Sequence, residues 1–277
     1  MKSTDHREYR RFECAVFRKT NERYGGLSNM APGFPLKING VVILTSEALY
    51  QAFRFPHRPE VQQLIIAQSS PMTAKMKSKP FRSDSRPDWD HVRVSVMRWC
   101  LRVKLAQHWI KFGTLLQETN ERPIVEDSHK DNFWGAMAVG EFTLKGANVL
   151  GRLLMELRAL MLSPEAEQLK QVQSPSITNA LLFGLPIGPL GAIAGEVFIP
   201  EPSNWPSGEG LGDVSQDVGK RVVVIDEVDP QGVLFNVDQS DYSDMYGLNG
   251  SRGKAKSKIR KRDKSNGTST SRRKKHD

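Results

Sequence analysis

The amino-acid sequence predicts a mainly helical α+β domain with short strands, followed by a largely disordered C-terminal extension. Apolar residues recur three or four apart over residues 89–108, which places them on one face of a long helix. A Leu/Met-rich segment at 147–161 predicts a second long helix. The charge also divides the chain, because residues 1–162 carry a net charge of +9, residues 163–251 of −10 and residues 252–277 of +10. Mixed charge among apolar residues is typical of a folded domain, whereas charge of one sign is typical of linkers and tails.

The other elements of the predicted domain are short. Residues 12–17 begin with the alternation of a strand, and residues 36–43 predict a hairpin whose Asn-Gly pair supplies the positive φ angles of a tight turn. Thr45 or Ser46 can cap a helix that runs as far as Arg54. Further short helices are expected at 61–67, 72–77 and 112–118, and a short strand at 124–125.

The extension divides into two parts by composition. Residues 163–251 are predicted to be an acidic, Pro/Gly-containing linker with a candidate hairpin at 221–237, and residues 252–277 a basic tail. The apolar run at 180–195 is interrupted by prolines and is shorter than the about 20 residues of a membrane span, so a membrane role is not expected. The tail lacks aromatic residues, which favours sequence-blind contact with phosphates and makes nucleic acid a candidate partner. A nuclear-import signal, in a host with a nucleus, and a solubilising tail that contacts the acidic linker are the alternatives.

The composition argues against several classes of protein. Two cysteines, Cys14 and Cys100, are too few for a disulfide scaffold and are expected to be reduced, buried thiols. The first residues contain no apolar stretch, so an intracellular protein is predicted, cytoplasmic or, in a eukaryote, nuclear. The six histidines are scattered, and no phosphate-loop, dinucleotide-binding or metal-ligand spacing is present, so neither a metal nor a cofactor is expected. The absence of a Gly-x-Ser-x-Gly elbow argues against a serine hydrolase.

Two segments carry the candidate chemistry. Asp131 comes three residues before Trp134, and a carboxylate beside an aromatic ring is suited to holding a flat base while the bond behind it is cleaved. Glu47 falls in the first turn of its predicted helix. Three polar residues follow on the same helical face, at Tyr50, Gln51 and Arg54. The alternatives are a surface loop with a half-buried tryptophan at Asp131, and an acidic first turn at Glu47 that answers the helix dipole.

Two further features are less specific. Trp89 is a second aromatic candidate, or else the hydrophobic start of a core helix. The Gly-containing loop at 25–29 can approach a phosphate closely, or else it is an ordinary turn.

Read in order, these segments resemble the NADAR (NAD and ADP-ribose) family of N-glycosidases over roughly residues 12–160. The matching segments are Gly26–Asn29, Ser46–Phe55, Asp88-Trp89, Met97, Lys104, Val125–Ser128, Asp131 with Trp134-Gly135, and Asn148–Met155. The resemblance implies a compact domain, here residues 1–162, whose active site contains Glu47, Trp89, Asp131 and Trp134. The chain departs from the family pattern at Ala48-Leu49, where a His-Tyr or similar pair is frequent, and at Ser78, where a glycine is usual.

The resemblance predicts an N-glycosidase that hydrolyses the ribose C1′–N bond of a phosphorylated ribosyl or ADP-ribosyl N-glycoside. Known family substrates include ADP-ribose attached to guanine in nucleic acid, which the basic tail slightly favours. Phosphorylated intermediates of riboflavin synthesis are the alternative. A non-catalytic module that binds ADP-ribose or NAD, and an electrostatic scaffold for nucleic acid, are the remaining alternatives, and the retained carboxylates argue against the first of these two.

Glu47 and Asp131 are therefore the predicted catalytic residues. Cleavage of a ribosyl C–N bond builds positive charge on the sugar, which one carboxylate can stabilise while the other manages a proton. The predicted substrate-binding residues are Trp89, Trp134, Tyr50, Gln51, Asn29, Gly26, Arg54 and Lys75. In this prediction the tryptophans stack on the base or ribose, and basic groups such as Arg23, Arg54 and Lys75 meet the phosphate.

Overall fold

The computed structural model describes residues 5–193 and, beyond them, only the backbone of two short strands at 197–198 and 222–223. The helices of the described residues are α1 (Ser46–Ala52), α2 (Pro59–Ile66), α3 (Pro71–Ser78), α4 (Trp89–Gln107), α5 (Trp109–Gln117) and α6 (Val149–Met161). The strands are β1 (Arg7–Arg10), β2 (Ala15–Phe17), β3 (Leu36–Ile38), β4 (Val41–Ile43), β5 (Ile124–Glu126), β6 (Met137–Ala138), β7 (Thr143–Gly146), β8 (Leu181–Leu182), β9 (Leu185–Pro186), β10 (Val197–Phe198) and β11 (Val222–Val223). The mainly helical α+β domain with short strands is confirmed.

Local signals in the sequence account for several of these elements. Thr45 is the N-cap of α1, where its Oγ1 accepts a hydrogen bond from the Ala48 amide at 3.3 Å. The predicted hairpin is β3–β4, and its turn residues Asn39 and Gly40 have φ angles of 49° and 81°. The predicted strand over 12–17 is wrong in its first half, because Arg11–Glu13 form a 3-10 turn that interrupts the extended backbone.

The strands form small sheets at the edge of the helices. β7 lies between β1 and β6 in a three-stranded antiparallel sheet, and β2 pairs with β5 in parallel. β8 and β9 form a second hairpin. β11 pairs with β10, a partner that the sequence does not predict, while the rest of the predicted hairpin at 221–237 and the basic tail lie outside the described residues.

The hydrophobic core lies around α4. Its buried residues contact α1, α5 and α6, and they include Val96, Val103 and Ala106, which the helical spacing predicts on one face. Cys14 and Cys100 are buried and free, as predicted. Within the described part of the chain, no helix has both the length and the apolar character needed to cross a membrane.

Residues 163–193, which we call the C-terminal strap, pack on this core. Val172, Leu182 and Ile187 are buried with it. Side chains of the helices bind the strap backbone, because Trp99 Nε1 donates to the Gln173 carbonyl at 2.8 Å and Gln62 Nε2 to the Leu181 carbonyl at 3.0 Å. The strap occupies the first part of the predicted linker, so ordered structure continues past residue 162. The domain boundary at residue 162 stays a prediction.

Candidate active site

Glu47 is a buried carboxylate held by two amide side chains. It lies in the first turn of α1 with 3% of its surface exposed. Gln51 Nε2 donates to Glu47 Oε1 at 2.8 Å, and Asn29 Nδ2 donates to Oε2. The backbone amide of Glu47 donates to the Asn29 carbonyl at 2.9 Å, which ties the loop at 25–29 to α1. The side chain therefore faces the protein interior from the first turn of α1, where the sequence places it.

Opposing influences act on the charge of Glu47. The pKa of the Glu47 carboxyl is raised above its usual range, because burial outweighs the opposing effects of Lys75 on α3, the two amide hydrogen bonds and Arg54. Ser78, also on α3, places its Oγ 2.9 Å from Gln51 Oε1 and thereby extends the hydrogen-bond chain. The predicted residues Asn29, Gln51 and Lys75 thus converge on this carboxylate.

Four aromatic rings form a continuous row beside Glu47. The Tyr50 ring centroid lies 5.0 Å from that of Trp89 and 5.6 Å from that of Trp134. Trp134 in turn lies 5.1 Å from Phe133. Tyr50 and Trp89 are buried, whereas Trp134 and Phe133 are partly exposed. We call Trp89, Tyr50, Trp134 and Phe133 the aromatic row. Its partly exposed end can stack on a planar base or a ribose.

Asp131 shapes the loop that carries Trp134. Its Oδ1 accepts hydrogen bonds from the Phe133 and Trp134 amides at 3.0 and 2.8 Å, the pattern of an Asx turn. Among the described residues, no hydrogen bond engages its Oδ2. Asp131 therefore has a definite positioning contact through one oxygen and leaves the other for substrate or water.

The first turn of α6 anchors the same loop. The amides of Ala147, Asn148, Val149 and Leu150 donate to the carbonyls of Asn132, Gly135, Phe133 and Trp134, in that order, at 2.7 to 3.1 Å. Asn148 is the N-cap of α6, and the amides of Asn148, Val149 and Leu150 are among those that a helix start leaves without intrahelical partners. A side chain at Gly135 would place its Cβ 2.6 Å from the Glu126 carbonyl oxygen, so only glycine lets the loop close on β5.

Glu126 is a third carboxylate that the catalytic prediction omits. It ends β5, and the Asn148 side chain fixes this strand by accepting from the Glu126 amide at 3.2 Å and donating to the Ile124 carbonyl at 2.8 Å. Burial raises the pKa of Glu126 to about 7, and the charges of Asp131 and Glu47 add to the rise while Lys75 opposes it. Three carboxylates thus lie within electrostatic range of one another. In the sequence, the Val125-Glu126 pair before Asp131 was the signal that could have identified this third carboxylate.

Two predicted phosphate contacts differ in position. Arg54 lies with its guanidinium carbon 4.5 Å from the centre of the Trp89 ring, so it belongs to the site. Gly26 is partly buried and is tied to α4 instead. Its carbonyl accepts from the buried Lys104 Nζ at 2.6 Å, and a Cβ there would lie 2.5 Å from Leu115. Gly26 therefore connects to Glu47 through the loop and Asn29, and its contact with substrate stays a prediction.

The assembled groups suit cleavage of a glycosidic bond to nitrogen. A buried carboxylate can stabilise positive charge on a sugar, and a carboxyl that titrates near neutral pH can transfer a proton. Rings next to both can hold a planar leaving group. Among the described residues, no group of three or more His, Cys, Asp or Glu side chains is arranged to hold a metal ion.

Comparison with known proteins identifies relatives of the region that builds this site. A family model described as NADAR domain matches residues 16–162. N-glycosidase YbiA of Escherichia coli (strain K12) is 37% identical over 145 residues, which are 51% of this chain and 84% of that protein. Riboflavin biosynthesis protein VVA0006 of Vibrio vulnificus is 33% identical over 142 residues, which are 51% of this chain and 37% of that protein. The NMR structure of E. coli YbiA is 34% identical, with a TM-score of 0.48, and the match covers 57% of this chain and 88% of that chain.

Proposed function

We propose that this chain, which belongs to the NADAR domain family and is an N-glycosidase, hydrolyses the bond between C1′ of a phosphorylated ribose and a base nitrogen, with ADP-ribosylated guanine in nucleic acid as the leading substrate. The observation that carries the proposal is Glu47, a buried carboxylate bonded through both oxygens and adjacent to the aromatic row. Amide donors on both oxygens match the ionised form, since a carboxylate only accepts hydrogen bonds.

In the proposed reaction, the C1′–N bond breaks and its electron pair goes to the base nitrogen. Positive charge develops on the ribose, where the Glu47 carboxylate stabilises it. Water then supplies OH to C1′ and a proton to the leaving nitrogen. Glu126, whose pKa of about 7 lets it exist in both forms near neutral pH, handles that proton. Asp131 holds the loop and assists with its second oxygen.

Two features support a substrate on nucleic acid. The sequence of residues 252–277 carries 12 Lys+Arg, enough for several phosphate contacts. Within the domain, Lys77 and Lys79 lie on the exposed side of α3 and the turn after it, close in sequence to Lys75, whose charge acts on Glu47. A polynucleotide attached to the leaving guanine can lie along such a basic edge.

A riboflavin intermediate is the second candidate substrate. The observation in its favour is the similarity to riboflavin biosynthesis protein VVA0006 of Vibrio vulnificus. Both substrates contain a ribose with a phosphoryl group at C5′ and a nitrogen at C1′, so the same groups serve either.

The test is release of free base from each substrate by the full chain. A guanine-ADP-ribosylated oligonucleotide and a ribosylaminopyrimidine phosphate are supplied separately, and the products are quantified by chromatography. Release from the oligonucleotide that is lost in Glu47→Gln, but retained in the matched surface variant Glu60→Gln, would support the leading proposal. Release from the pyrimidine alone would select the second candidate. Tight binding of ADP-ribose without release from either substrate would contradict the proposed activity.

A further inference from the structure

Two guanidinium groups lie against the ends of the aromatic row. The Arg54 carbon Cζ is 4.5 Å from the centre of the Trp89 ring, and the Arg93 carbon Cζ is 3.9 Å from the centre of the Phe133 ring. Arg82, on the 3-10 turn after α3, is exposed. Burial lowers the pKa of Arg54, and the charges of Arg82 and Arg93 lower it further, while Tyr50 and Asp90 oppose the change. Arg54, Arg82 and Arg93, which we call the arginine cluster, therefore concentrate like charge beside the site.

The arginine cluster has unused hydrogen-bond donors. Arg54 Nε and Arg93 Nε are buried and lack an acceptor among the described residues. Arg93 Nε lies 3.6 Å from Asp90 Oδ1, which is too far for a hydrogen bond, and the Asp90 side chain is 85% exposed. Arg54 Nη1 makes one long contact, 3.4 Å, with Ser85 Oγ. A buried donor without an acceptor costs free energy that a bound anion would recover.

Neighbouring arginines show the contrast. Arg58 binds the carboxylates of Glu60 and Asp84, and Arg86 binds both oxygens of Asp88 at 2.6 and 2.9 Å. Arg98, five residues after Arg93 on α4, binds both oxygens of Glu156 at 2.8 and 3.2 Å. The arginine cluster lacks such bidentate partners. Arg93 has only a 3.6 Å ion pair with the exposed Asp90, and Arg54 only a long contact with Ser85, so donors of both side chains remain for a ligand.

We propose that Arg54, Arg82 and Arg93 bind the 5′-phosphoryl group of the ribosyl substrate. A guanidinium is a planar group with several N–H donors, which can form paired hydrogen bonds to phosphate oxygens. Glu47 lies in the first turn of α1 and Arg54 in the turn after Ala52, so the carboxylate and the guanidinium come from opposite ends of one short helix. The inference rests on the proposed function and adds the residues that hold the anionic end of the substrate.

The shared ligand chemistry has two sources, a phosphomonoester and the first phosphate of a diphosphate. Ribose 5-phosphate and ADP-ribose represent them, and unphosphorylated ribose is the uncharged control. Binding of each to the full chain is measured by calorimetry for the wild type, Arg82→Gln, Arg93→Gln and the matched variant Arg98→Gln. Circular dichroism and thermal midpoints establish that each variant folds. Arg93→Lys keeps the positive charge but loses the paired N–H donors of the guanidinium.

We expect Arg82→Gln and Arg93→Gln each to weaken ribose 5-phosphate about tenfold or more, the effect of a lost hydrogen bond to a charged group. Arg98→Gln should leave binding unchanged, and Asp90→Asn should tighten it. An equal loss for ADP-ribose indicates that its phosphate at C5′ is the group bound, whereas a loss confined to one probe selects that source. Wild-type affinity for both phosphorylated probes in Arg82→Gln and Arg93→Gln would overturn the proposal.

Ligand binding and base release, measured on the same variants, distinguish a failure of the arginine cluster from a failure of the proposed function. Charge-dependent phosphate binding without base release from any substrate retains the cluster and rejects the N-glycosidase substrates. Base release that is unaffected by Arg82→Gln and Arg93→Gln, in both kcat and KM, retains the activity and rejects the cluster.

Discussion

The two regions that supply carboxylates to the site are built in different ways. Glu47 lies on α1 with 3% exposure, and side-chain amides occupy both of its oxygens. Glu126 and Asp131 lie at the end of β5 and in the following loop, where both are partly exposed and only Asp131 Oδ1 is bonded within the described residues. The first arrangement fixes the position of the carboxyl and gives both of its oxygens hydrogen-bond donors. The second leaves oxygens without a partner among the described residues, so under the proposed function we assign charge stabilisation to α1 and proton transfer to the β5 region.

Removing the charge of Glu47 should lower the rate of base release more than any other substitution in these two regions. Glu47→Gln is expected to lower kcat by about a thousandfold or more, because the developing charge on the ribose loses its counter-ion. ADP-ribose binding should change much less. Initial rates of base release and calorimetric affinities give both values, and Glu60→Gln is the control. Activity of Glu47→Gln within tenfold of the wild type would exclude Glu47 as the carboxylate that stabilises charge on the ribose.

Asp131 should show a smaller loss that separates into two parts. Asp131→Asn keeps an Oδ1 acceptor for the Phe133 and Trp134 amides, so the loop stays in place while the charge is lost. We expect kcat to fall about a hundredfold with an unchanged thermal midpoint. Asp131→Ala should show the same kinetic loss and also destabilise the fold by about 1 kcal/mol, because the Phe133 and Trp134 amides lose their acceptor. Equal stability of the two variants would contradict the positioning contact.

Glu126 should affect the pH dependence more than the maximum rate. With a pKa of about 7 in the folded state, Glu126 should produce a limb near that pH in the profile of kcat/KM. Glu126→Gln is expected to remove this limb and lower the maximum about tenfold. A limb that persists near pH 7 in this variant belongs to another group and would exclude Glu126 as the proton carrier.

The same shift predicts a change in stability with a definite sign. A carboxyl whose folded pKa is raised above its ordinary value favours the folded state below the ordinary pKa, and this contribution is lost as pH rises towards 7. Glu126→Gln should therefore flatten the fall in unfolding free energy between about pH 4.5 and pH 7. Urea titrations of both proteins across that window provide the measurement.

The contrast between the two regions also explains what the sequence could predict. Helical spacing and a cap placed Glu47, Tyr50 and Gln51 on one helix, because contacts within one helix follow from local geometry. The helix ends earlier than predicted, at Ala52, and Arg54 lies in the turn that follows. The role proposed for Glu126 depends on its burial among distant residues, and the Val125-Glu126 pair in the sequence marks the position of the carboxylate without reporting that burial. The C-terminal strap was missed for a related reason, since its backbone carbonyls are bound by side chains such as Trp99 and Gln62 from distant helices.

Ser78 provides the finest test of the fixed charge on Glu47. Its hydroxyl lies 2.9 Å from Gln51 Oε1 and 2.8 Å from the Lys75 carbonyl, yet it has one proton to donate. When the Ser78 hydroxyl donates to Gln51 Oε1, Gln51 Nε2 donates to an ionised Glu47. When the hydroxyl donates to the Lys75 carbonyl instead, Ser78 Oγ can only accept a hydrogen bond from Gln51. The Gln51 amide must then be reversed, and Glu47 must carry a proton to donate to the side-chain carbonyl of Gln51. Ser78 thus supports the charged form of Glu47 whenever it binds Gln51.

Ser78→Ala and Ser78→Gly remove that support, and the second variant restores the residue that is usual in the family. Without the hydroxyl, the Gln51 amide is less polarised and donates more weakly to Glu47. The acid limb of the kcat profile should move to higher pH in both variants, with about a threefold loss of rate on that limb and little change on the plateau above it. An acid limb that stays in place, or moves to lower pH, would show that Ser78 does not act on Glu47 and that the two amides alone hold its charge.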